Sequence, residues 1–429
     1  MKQNKVTRMT AFLSATALLC TSLTGCGSTS AESNSQADGF TPSLDTQAGI
    51  SLEVSGFMGN FEAFDQVVND FNEYYPNISI NYEQNDGLSL PEYLQNNKYV
   101  DIFMTSNANQ QPDSDYCVLD SCLNLSEANL DTSAIDAELL ESCTVDGKLV
   151  RIPLAVTMCG MVVNKTLLEK EGLELPQTYA EFLSVCETLK AKGYTPIQGS
   201  RLNVYSDMVL PMGMSILGNN DALAAKVNAG DVSYADDLLP VYQRLQELMD
   251  LGYTSPELNE TYPDDNYDGA ILTFFDGNVP FWICNTEKVS GMKKRESKSE
   301  AFSAAPFEYE FLSVPLGDDG VYTYKEPWYG FSVNKNSSQL DYAVEFMRFL
   351  AQEEELNKLA SIKGMPSVTV HNEDERFLNV LNPTKEAGHY TTNGNLKDGI
   401  TATIANTANQ MGKGNLATAE DAVAAIKEN

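Results

Sequence analysis

The chain has 429 residues, enough for two or three domains of roughly 150 residues each. Its 60 acidic and 28 basic side chains give a formal net charge of -32, which argues against nucleic acid or an anionic membrane surface as a partner. With 42% hydrophobic and 21% charged residues, the composition excludes a disordered chain and a coiled coil. Only two histidines, His371 and His389, are present, so the sequence offers few residues for a multi-histidine metal centre or a histidine-based relay. We expect no cofactor and no metal.

The amino-terminal 25 residues have the layout of a bacterial signal peptide. Three basic residues within the first eight positions precede an apolar stretch over residues 9–23, shorter than the ~20 residues of a spanning helix. The stretch runs into the quartet LTGC at residues 23–26, which resembles the bacterial lipobox. That resemblance implies cleavage after residue 25 and lipidation of Cys26, and two or three acyl chains give stable attachment. The alternative is a signal peptide with a chance cysteine.

A flexible tether is predicted after the lipidated cysteine, over residues 26–47, because this segment is rich in small and polar residues and lacks apolar periodicity. We therefore expect the folded part on the extracellular face of the cytoplasmic membrane. The cysteines beyond the tether are Cys117, Cys122, Cys143, Cys159, Cys186 and Cys284. A disulfide between Cys117 and Cys122 and two reduced thiols are both compatible with the sequence, since spacing does not determine pairing.

Strand and helix patterns alternate from residue 50 onward. The predicted strands are residues 50–54, 78–82 and 100–104, each with apolar residues in alternation or in a short run. Between the first two, Phe64, Val67, Val68 and Phe71 repeat at helical spacing. This order predicts a parallel sheet with helices on both faces, and ligands bind such sheets beyond the carboxyl ends of the strands. The loops 56–60 and 105–109 occupy that position.

A second α/β unit is predicted after residue 153. Its predicted elements are a strand at 161–163, a helix at 179–191, a mainly helical stretch at 222–251, and a helix at 341–361 that returns later in the chain. The fold class is therefore α/β.

Several segments are similar to the extracellular solute-binding proteins of family 1. These proteins are receptors of ATP-binding-cassette importers, bind mainly carbohydrates, and include the maltose-binding type. The segments that carry the resemblance are FNEYYPNISI (71–80), DIF (101–103), IPLAVTMCGMVVNK (152–165), LPQTYAEF (175–182), KAKGYTPI (190–197), FDGNVPF (275–281) and WYGFSVNKNS (328–337). Their order and spacing cover nearly all of residues 50–429.

The resemblance implies a two-lobed, periplasmic-binding-protein-like fold of type II, with strands crossing a hinge and a ligand cleft between the lobes. Carried over, the first lobe takes residues 48–155 plus 311–365, and the second takes 156–310 plus 366–429. It also implies closure by hinge bending and a partnership with the membrane permease subunits of an importer. We expect a monomer.

A sugar site needs planar aromatic rings for the CH faces and polar groups for the hydroxyls. Trp328 and Tyr329 stand where the family has a glycine or aromatic pair facing the cleft. Motif-by-motif placement adds Phe57, Met58, Thr105, Ser106, Asn107, Thr157, Met158, Asn203, Tyr205, Asp207, Asn285, Thr286 and Glu287 to the candidate ligand-binding residues.

The sequence departs from the maltose-binding pattern at two places. Phe57 and Met58 replace charged side chains after the first strand, and residues 285–287 replace a tryptophan that many relatives carry. Nearby Trp282 is expected to point into the core, by strand alternation. The identity of the sugar therefore stays open.

The leading hypothesis is a receptor that captures a carbohydrate, with an oligosaccharide favoured, and delivers it unaltered. A non-sugar solute such as a polyamine or a polyol phosphate is the alternative among binding proteins, with net charge disfavouring an anionic ligand. A secreted hydrolase with a carboxylate pair is the alternative of another class. Asp264, Asn266 and Asp268 match the start of a calcium loop, but Phe275 stands where that loop requires glutamate.

Overall fold

The computed structural model describes residues 39–59, 61–85, 89–111, 114–199, 203–254, 267–372, 374–392, 395–396 and 399–428. The chain divides into two compact units, residues 1–40 and 41–429, and every element given below belongs to the second unit. Across the described ranges, no helix combines the length and the apolar character needed to cross a membrane. The predicted signal peptide, Cys26 and most of the predicted tether lie outside the described residues.

The strands are β1 Ile50–Gly56, β2 Ile78–Gln84, β3 Ile102–Thr105, β4 Thr144–Val145, β5 Lys148–Leu149, β6 Ile152–Pro153, β7 Val156–Asn164, β8 Ile197–Gly199, β9 Phe281–Asn285, β10 Tyr309–Leu312, β11 Val321–Pro327, β12 Gly330–Val333 and β13 Glu386–Thr391. The helices are α1 Glu62–Tyr74, α2 Leu90–Asn96, α3 Ala137–Glu141, α4 Lys165–Glu171, α5 Tyr179–Ala191, α6 Asn203–Gly218, α7 Asp221–Ala229, α8 Leu239–Asp250, α9 Tyr267–Phe274, α10 Thr286–Glu296, α11 Glu300–Ala304, α12 Leu340–Leu350, α13 Glu353–Lys363, α14 Leu378–Leu381, α15 Ile400–Gly412 and α16 Ala419–Glu428. Short 3₁₀ helices cover Asn107–Gln110, Leu119–Ser121, Leu125–Glu127 and Val232–Leu238.

The first sheet has the strand order β2-β1-β3-β12-β6. β1 is parallel to β2 and β3, because α1 and α2 carry the chain back across the sheet between them. β12 enters antiparallel to β3 and β6. α1 buries Ala63, Phe64, Val67 and Phe71, the helical spacing that the sequence predicted. The predicted strands and helix of this region are confirmed.

The second sheet has the order β13-β11-β7-β9-β8, with β10 also paired to β7. β7 is buried at eight of its nine positions, since it lies in the middle of this sheet. α5 has the predicted bounds because Thr178 and Glu181 form a capping box at its start. Trp282 on β9 is 1% exposed and packs near Phe274, so its predicted core position is confirmed.

Two neighbouring segments pass together from the first sheet to the second. The Trp328 N–H donates to the Ala155 carbonyl at 2.8 Å, and the Leu154 N–H donates to the Tyr329 carbonyl at 2.9 Å. These bonds join the β6–β12 pair to the β7–β11 pair in one antiparallel ladder. A third segment touches the ladder where the Val156 N–H donates to the carbonyl of Pro366 at 3.0 Å.

The lobe boundaries given in the sequence analysis stay a prediction. Strand pairing puts β10 and β11 in the second sheet, so the chain returns to the first sheet after Pro327, later than the predicted boundary at residue 311. The boundary at residue 311 is carried over from the family resemblance, which does not determine the strand neighbours in this chain. The helix predicted over 341–361 is divided into α12 and α13 at residues 351–352, where neither glycine nor proline marks a break.

A buried carboxylate ties the start of the second unit to α12. Glu345 is 2% exposed and accepts hydrogen bonds from the Ser43 N–H at 2.8 Å, the Tyr75 hydroxyl and the Arg348 guanidinium. Burial pushes the pKa of Glu345 upward, but the bonds from Arg348, Tyr75 and Ser43 outweigh it and lower the pKa to about 2. The ionised carboxylate is therefore the form that the fold stabilises.

Replacing Glu345 by glutamine is expected to lower the free energy of unfolding by about 2 kcal/mol at pH 7, because the guanidinium of Arg348 loses its charged acceptor. The pKa of Glu345 is lower in the folded state than the ordinary value of 4.5. The stabilisation is therefore complete above pH 4.5 and disappears as the pH falls towards 2. Urea unfolding at pH 7 and pH 3 measures it, with the exposed Glu354→Gln as control. Equal losses at both pH values would contradict this account.

Candidate ligand-binding cleft

One face of the second sheet presents polar side chains beside the crossing ladder. In the antiparallel ladder Thr157 lies opposite Glu326, and Cys159 lies opposite Asn285. Directly opposed residues share a face, and so do residues two apart on one strand. Thr157, Cys159, Asn285 and Glu326 therefore form one polar floor. Asp207 on α6 adjoins it, since the Cys159 thiol lies 3.7 Å from Asp207 Oδ1.

The loop after β3 reaches this polar floor from the first sheet. Asn107 Nδ2 donates to Glu326 Oε2 at 3.1 Å, and the Tyr324 hydroxyl donates to the same oxygen at 3.0 Å. Asn107 is held in turn by Arg151, which is fully buried and also donates to the Thr105 carbonyl at 3.0 Å. Burial raises the pKa of Glu326 in spite of these partners.

A cluster of rings forms the first-lobe side of the cleft. The Phe57 and Tyr329 centroids lie 5.3 Å apart, and both rings are half-buried, so we call them the ring pair. Burial raises the pKa of Tyr329, and the charges of Glu287 and Glu326 raise it further. Trp328 is 6% exposed and packs behind Tyr329 at 4.9 Å.

A cavity of about 280 Å³ opens next to the ring cluster, between the two lobes. Its first-lobe lining is Met58, Phe61, Glu62, Ala63, Ile362 and Lys363, and its second-lobe lining is Glu287, Ser290, Gly291, Lys294 and Arg295. An exposed ion pair between Lys294 and Glu62, 3.6 Å long, crosses it. We call this space the interlobe cavity.

The structure brings many of the predicted site residues together. Those that line the polar floor, the ring cluster or the interlobe cavity are Phe57, Met58, Asn107, Thr157, Asn285, Glu287, Trp328 and Tyr329, with Asp207 beside them. Their contact with ligand stays a prediction. Asn285 also accepts the Glu287 N–H at 3.1 Å and caps α10, so its Oδ1 is already engaged.

Other predicted site residues have their polar atoms engaged by the protein. The Thr105 hydroxyl bonds Ser332 at 2.9 Å, and the buried Thr286 hydroxyl donates to the Val156 carbonyl at 2.9 Å. Ser106 bonds Asn109 in a capping box at the start of a 3₁₀ helix. These contacts position the backbone beside the cleft.

Two further predicted site residues are buried, and one of them, Tyr205, belongs to the main hydrophobic cluster of the second lobe, as does the floor residue Cys159. Met158 is 1% exposed and alternates with the floor residues Thr157 and Cys159, so it points away from the floor. Tyr205 is 3% exposed and its ring lies against Gly412, where an added Cβ would meet it at 2.1 Å. The side chain of Asn203 lies outside the described residues.

Phe61 and Lys363 border the cleft although the sequence analysis did not select them. Phe61 lies edge-on to Trp328 at 6.2 Å, and the Lys363 ammonium lies 4.8 Å above the same indole ring. Nothing local to either residue signals this, because Trp328, which both of them contact, is distant from each in the sequence. Arg151, by contrast, interrupts an apolar run, and a lone charge in such a run is a usable signal.

The six described cysteines are free thiols, so the disulfide alternative for Cys117 and Cys122 is not formed in the structure. Burial raises the pKa of Cys122 to about 11. Among the residues that the structure describes, no group of three or more histidine, cysteine or acidic side chains is arranged to hold a metal ion. Asp264 and Asn266 of the calcium-like segment lie outside them.

A model of the family described as bacterial extracellular solute-binding protein matches residues 57–356. The multiple sugar-binding protein of Streptococcus mutans is 22% identical over 236 residues, a match that spans 52% of this chain and about half, 52%, of that relative. A family 1 extracellular solute-binding protein from Bifidobacterium longum subsp. infantis is 18% identical with a TM-score of 0.66, covering 88% of this chain and 98% of that one.

A sugar transporter from Bacillus licheniformis in complex with stachyose is 17% identical, with a TM-score of 0.64 over 88% of this chain and 98% of that chain. These structural likenesses establish the two-lobed α/β fold. The family match covers more than half of the residues. The chain therefore belongs to the bacterial extracellular solute-binding proteins.

Proposed function

We propose that this protein is a membrane-anchored receptor that binds a carbohydrate, with an oligosaccharide favoured, in the cleft between its lobes. The observation that carries the proposal is that the ring pair, Phe57 and Tyr329, stands on the first-lobe side of a cleft whose second-lobe side carries the carboxylates of Glu287 and Glu326. Planar rings accept the CH faces of a sugar, and carboxylate or amide groups bind its hydroxyls. The sugar-related names of the relatives support the same ligand class.

The crossing ladder supports a hinge mechanism for capture. A ligand between the ring pair and the polar floor contacts both lobes, and it favours the closed form only as far as it binds that form better than the open one. The connections near Ala155, Pro327 and Pro366 are short, so a change in a few backbone angles is enough to move one lobe against the other.

Anchoring and delivery complete the proposal. Lipidated Cys26 holds the tether at the extracellular face of the membrane, and the closed, loaded form presents the sugar to the permease subunits of an ATP-binding-cassette importer. The family consists of binding proteins, and we propose that this member releases its ligand unaltered. Mass spectrometry of the mature protein tests the acyl chains on Cys26.

Thermal unfolding with a panel of stachyose, maltotriose, xylotriose and spermidine tests the ligand class. A bound sugar at 100 times its Kd is expected to stabilise the folded protein by about 2.7 kcal/mol through mass action. Chromatography after incubation is expected to return the sugar intact. Stabilisation by spermidine alone would favour a non-sugar receptor, and new sugar products would favour a hydrolase.

A further inference from the structure

The interlobe cavity contains a cation that has no hydrogen-bonded partner among the described residues. Lys363 is half-buried at the end of α13, and among those residues no carboxylate lies within 4.0 Å of its ammonium group. The ammonium instead lies over the ring of Trp328. The ammonium group of Lys363 is therefore available to a ligand at one end of the cleft.

Two helices add positive potential to the same cavity. α1 begins there with Phe61 at its N-cap, a side chain that cannot accept a hydrogen bond, and no side chain among the described residues caps the N–H groups of the first turn. α10 also begins there, after its cap Asn285. Helix amino termini carry partial positive charge and bind anions readily when other donors stand nearby.

Most of the charged groups that line the cavity are paired, and Lys363 is the lining cation that forms no ion pair among the described residues. Lys294, Arg295 and Lys363 line it, against Glu62 and Glu287. Lys294 is paired with Glu62 at the exposed rim, and Arg295 bonds Asp268 outside the cavity. Glu287 is the acidic group that faces Lys363. The net charge of -32 is spread over the whole chain, and salt screens charges more than ~10 Å away, so the nearby groups decide what this cavity attracts.

We propose that the interlobe cavity holds an anionic substituent of the ligand, so that the preferred solute is a saccharide bearing a carboxylate or a phosphate group, with Lys363 as its direct partner. This inference rests on the proposed function. It replaces the expectation from net charge that an anionic ligand is disfavoured. The ring pair would hold a sugar ring while the ammonium binds the substituent.

Calorimetry with matched pairs of probes tests the inference. Trigalacturonate is compared with its fully methyl-esterified form, and glucose 6-phosphate with glucose. We expect the anionic member of one pair to bind about 10-fold tighter than its neutral partner. High salt is expected to weaken only the anionic member. The pair that shows the preference identifies the group as carboxylate or phosphate.

Variants assign the preference to the lysine. Lys363→Met is expected to remove the difference within the pair, Lys363→Arg to keep most of it, and Glu287→Gln to increase it, because a repelling carboxylate is lost. Lys413→Met, an exposed change on the second lobe, is the control for net charge and leaves the preference unchanged. If Lys363→Met fails to fold, the comparison of anionic and neutral probes with the wild-type protein still tests the anionic preference.

The outcomes separate this inference from the proposed function. Equal or tighter binding of the neutral members, with sugars bound, overturns the anionic preference and leaves the sugar receptor intact. An anionic preference that persists in a folded Lys363→Met variant also overturns the role of Lys363. Absence of binding by every saccharide, charged or neutral, overturns both.

Discussion

Replacing Arg151 by methionine is expected to lower the free energy of unfolding by about 3 to 5 kcal/mol. Arg151 is fully buried, and its guanidinium donates to the Thr105 carbonyl, to Asn107 and to the Cys143 thiol. Its charge also favours the ionised form of Glu326. Methionine fills a similar volume but leaves these acceptors without their donor, and an unpaired buried charge is among the most costly defects in a protein interior.

Urea unfolding of Arg151→Met and of Arg151→Lys measures this contribution. Lysine keeps the charge but lacks the planar fork that bonds several acceptors, so an intermediate loss is expected. The double variant with Glu326→Gln is expected to recover part of the loss, because neither charge then remains buried. An Arg151→Met variant within 1 kcal/mol of the wild type would show that the network contributes far less than its burial indicates.

Replacing Tyr329 by alanine is expected to weaken sugar binding about 10- to 100-fold. The variant loses one ring of the ring pair and the hydroxyl that this ring carries. Tyr329→Phe keeps the ring and separates the two contributions. Phe57→Ala removes the other ring of the pair and is expected to have a similar effect.

Calorimetry with the sugar that gives the largest thermal shift measures these variants. Tyr99→Ala is the matched control, since this tyrosine is 60% exposed and precedes the amino end of β3, whereas the cleft lies beyond the carboxyl end of that strand. Trp328→Ala is expected to act through loss of support for Tyr329 and Lys363, and so to weaken binding as well. Unchanged affinity in both ring-pair variants would show that the sugar-binding site lies elsewhere in the molecule.

Local pattern was sufficient for much of the fold. Alternation gave β1, helical spacing gave α1, and a capping box fixed the start of α5. The strands that pair with β10 and β11 could not be predicted from the sequence, because strand neighbours depend on contacts across the whole chain. The break between α12 and α13 has no glycine or proline, so no sequence signal marked it.

The candidate site also contains some residues that the sequence could predict and others that it could not. Phe57, Asn107 and Tyr329 follow or adjoin strands whose ends were predictable, and the resemblance to the family pointed to them. Lys363 belongs to a helix that looks ordinary in sequence, and only the folded chain shows its ammonium over Trp328. The residue that we propose to select the charge of the ligand was therefore harder to predict than those that form the walls of the cleft.

Because none of the six cysteines in the described part of the chain is cross-linked, no disulfide among them joins the lobes. Folding of that part of the chain then requires no oxidation of these thiols. Expression without residues 1–25 in a reducing cytoplasm is expected to yield the same conformation as export does, and thiol reductants are expected to leave the melting temperature unchanged.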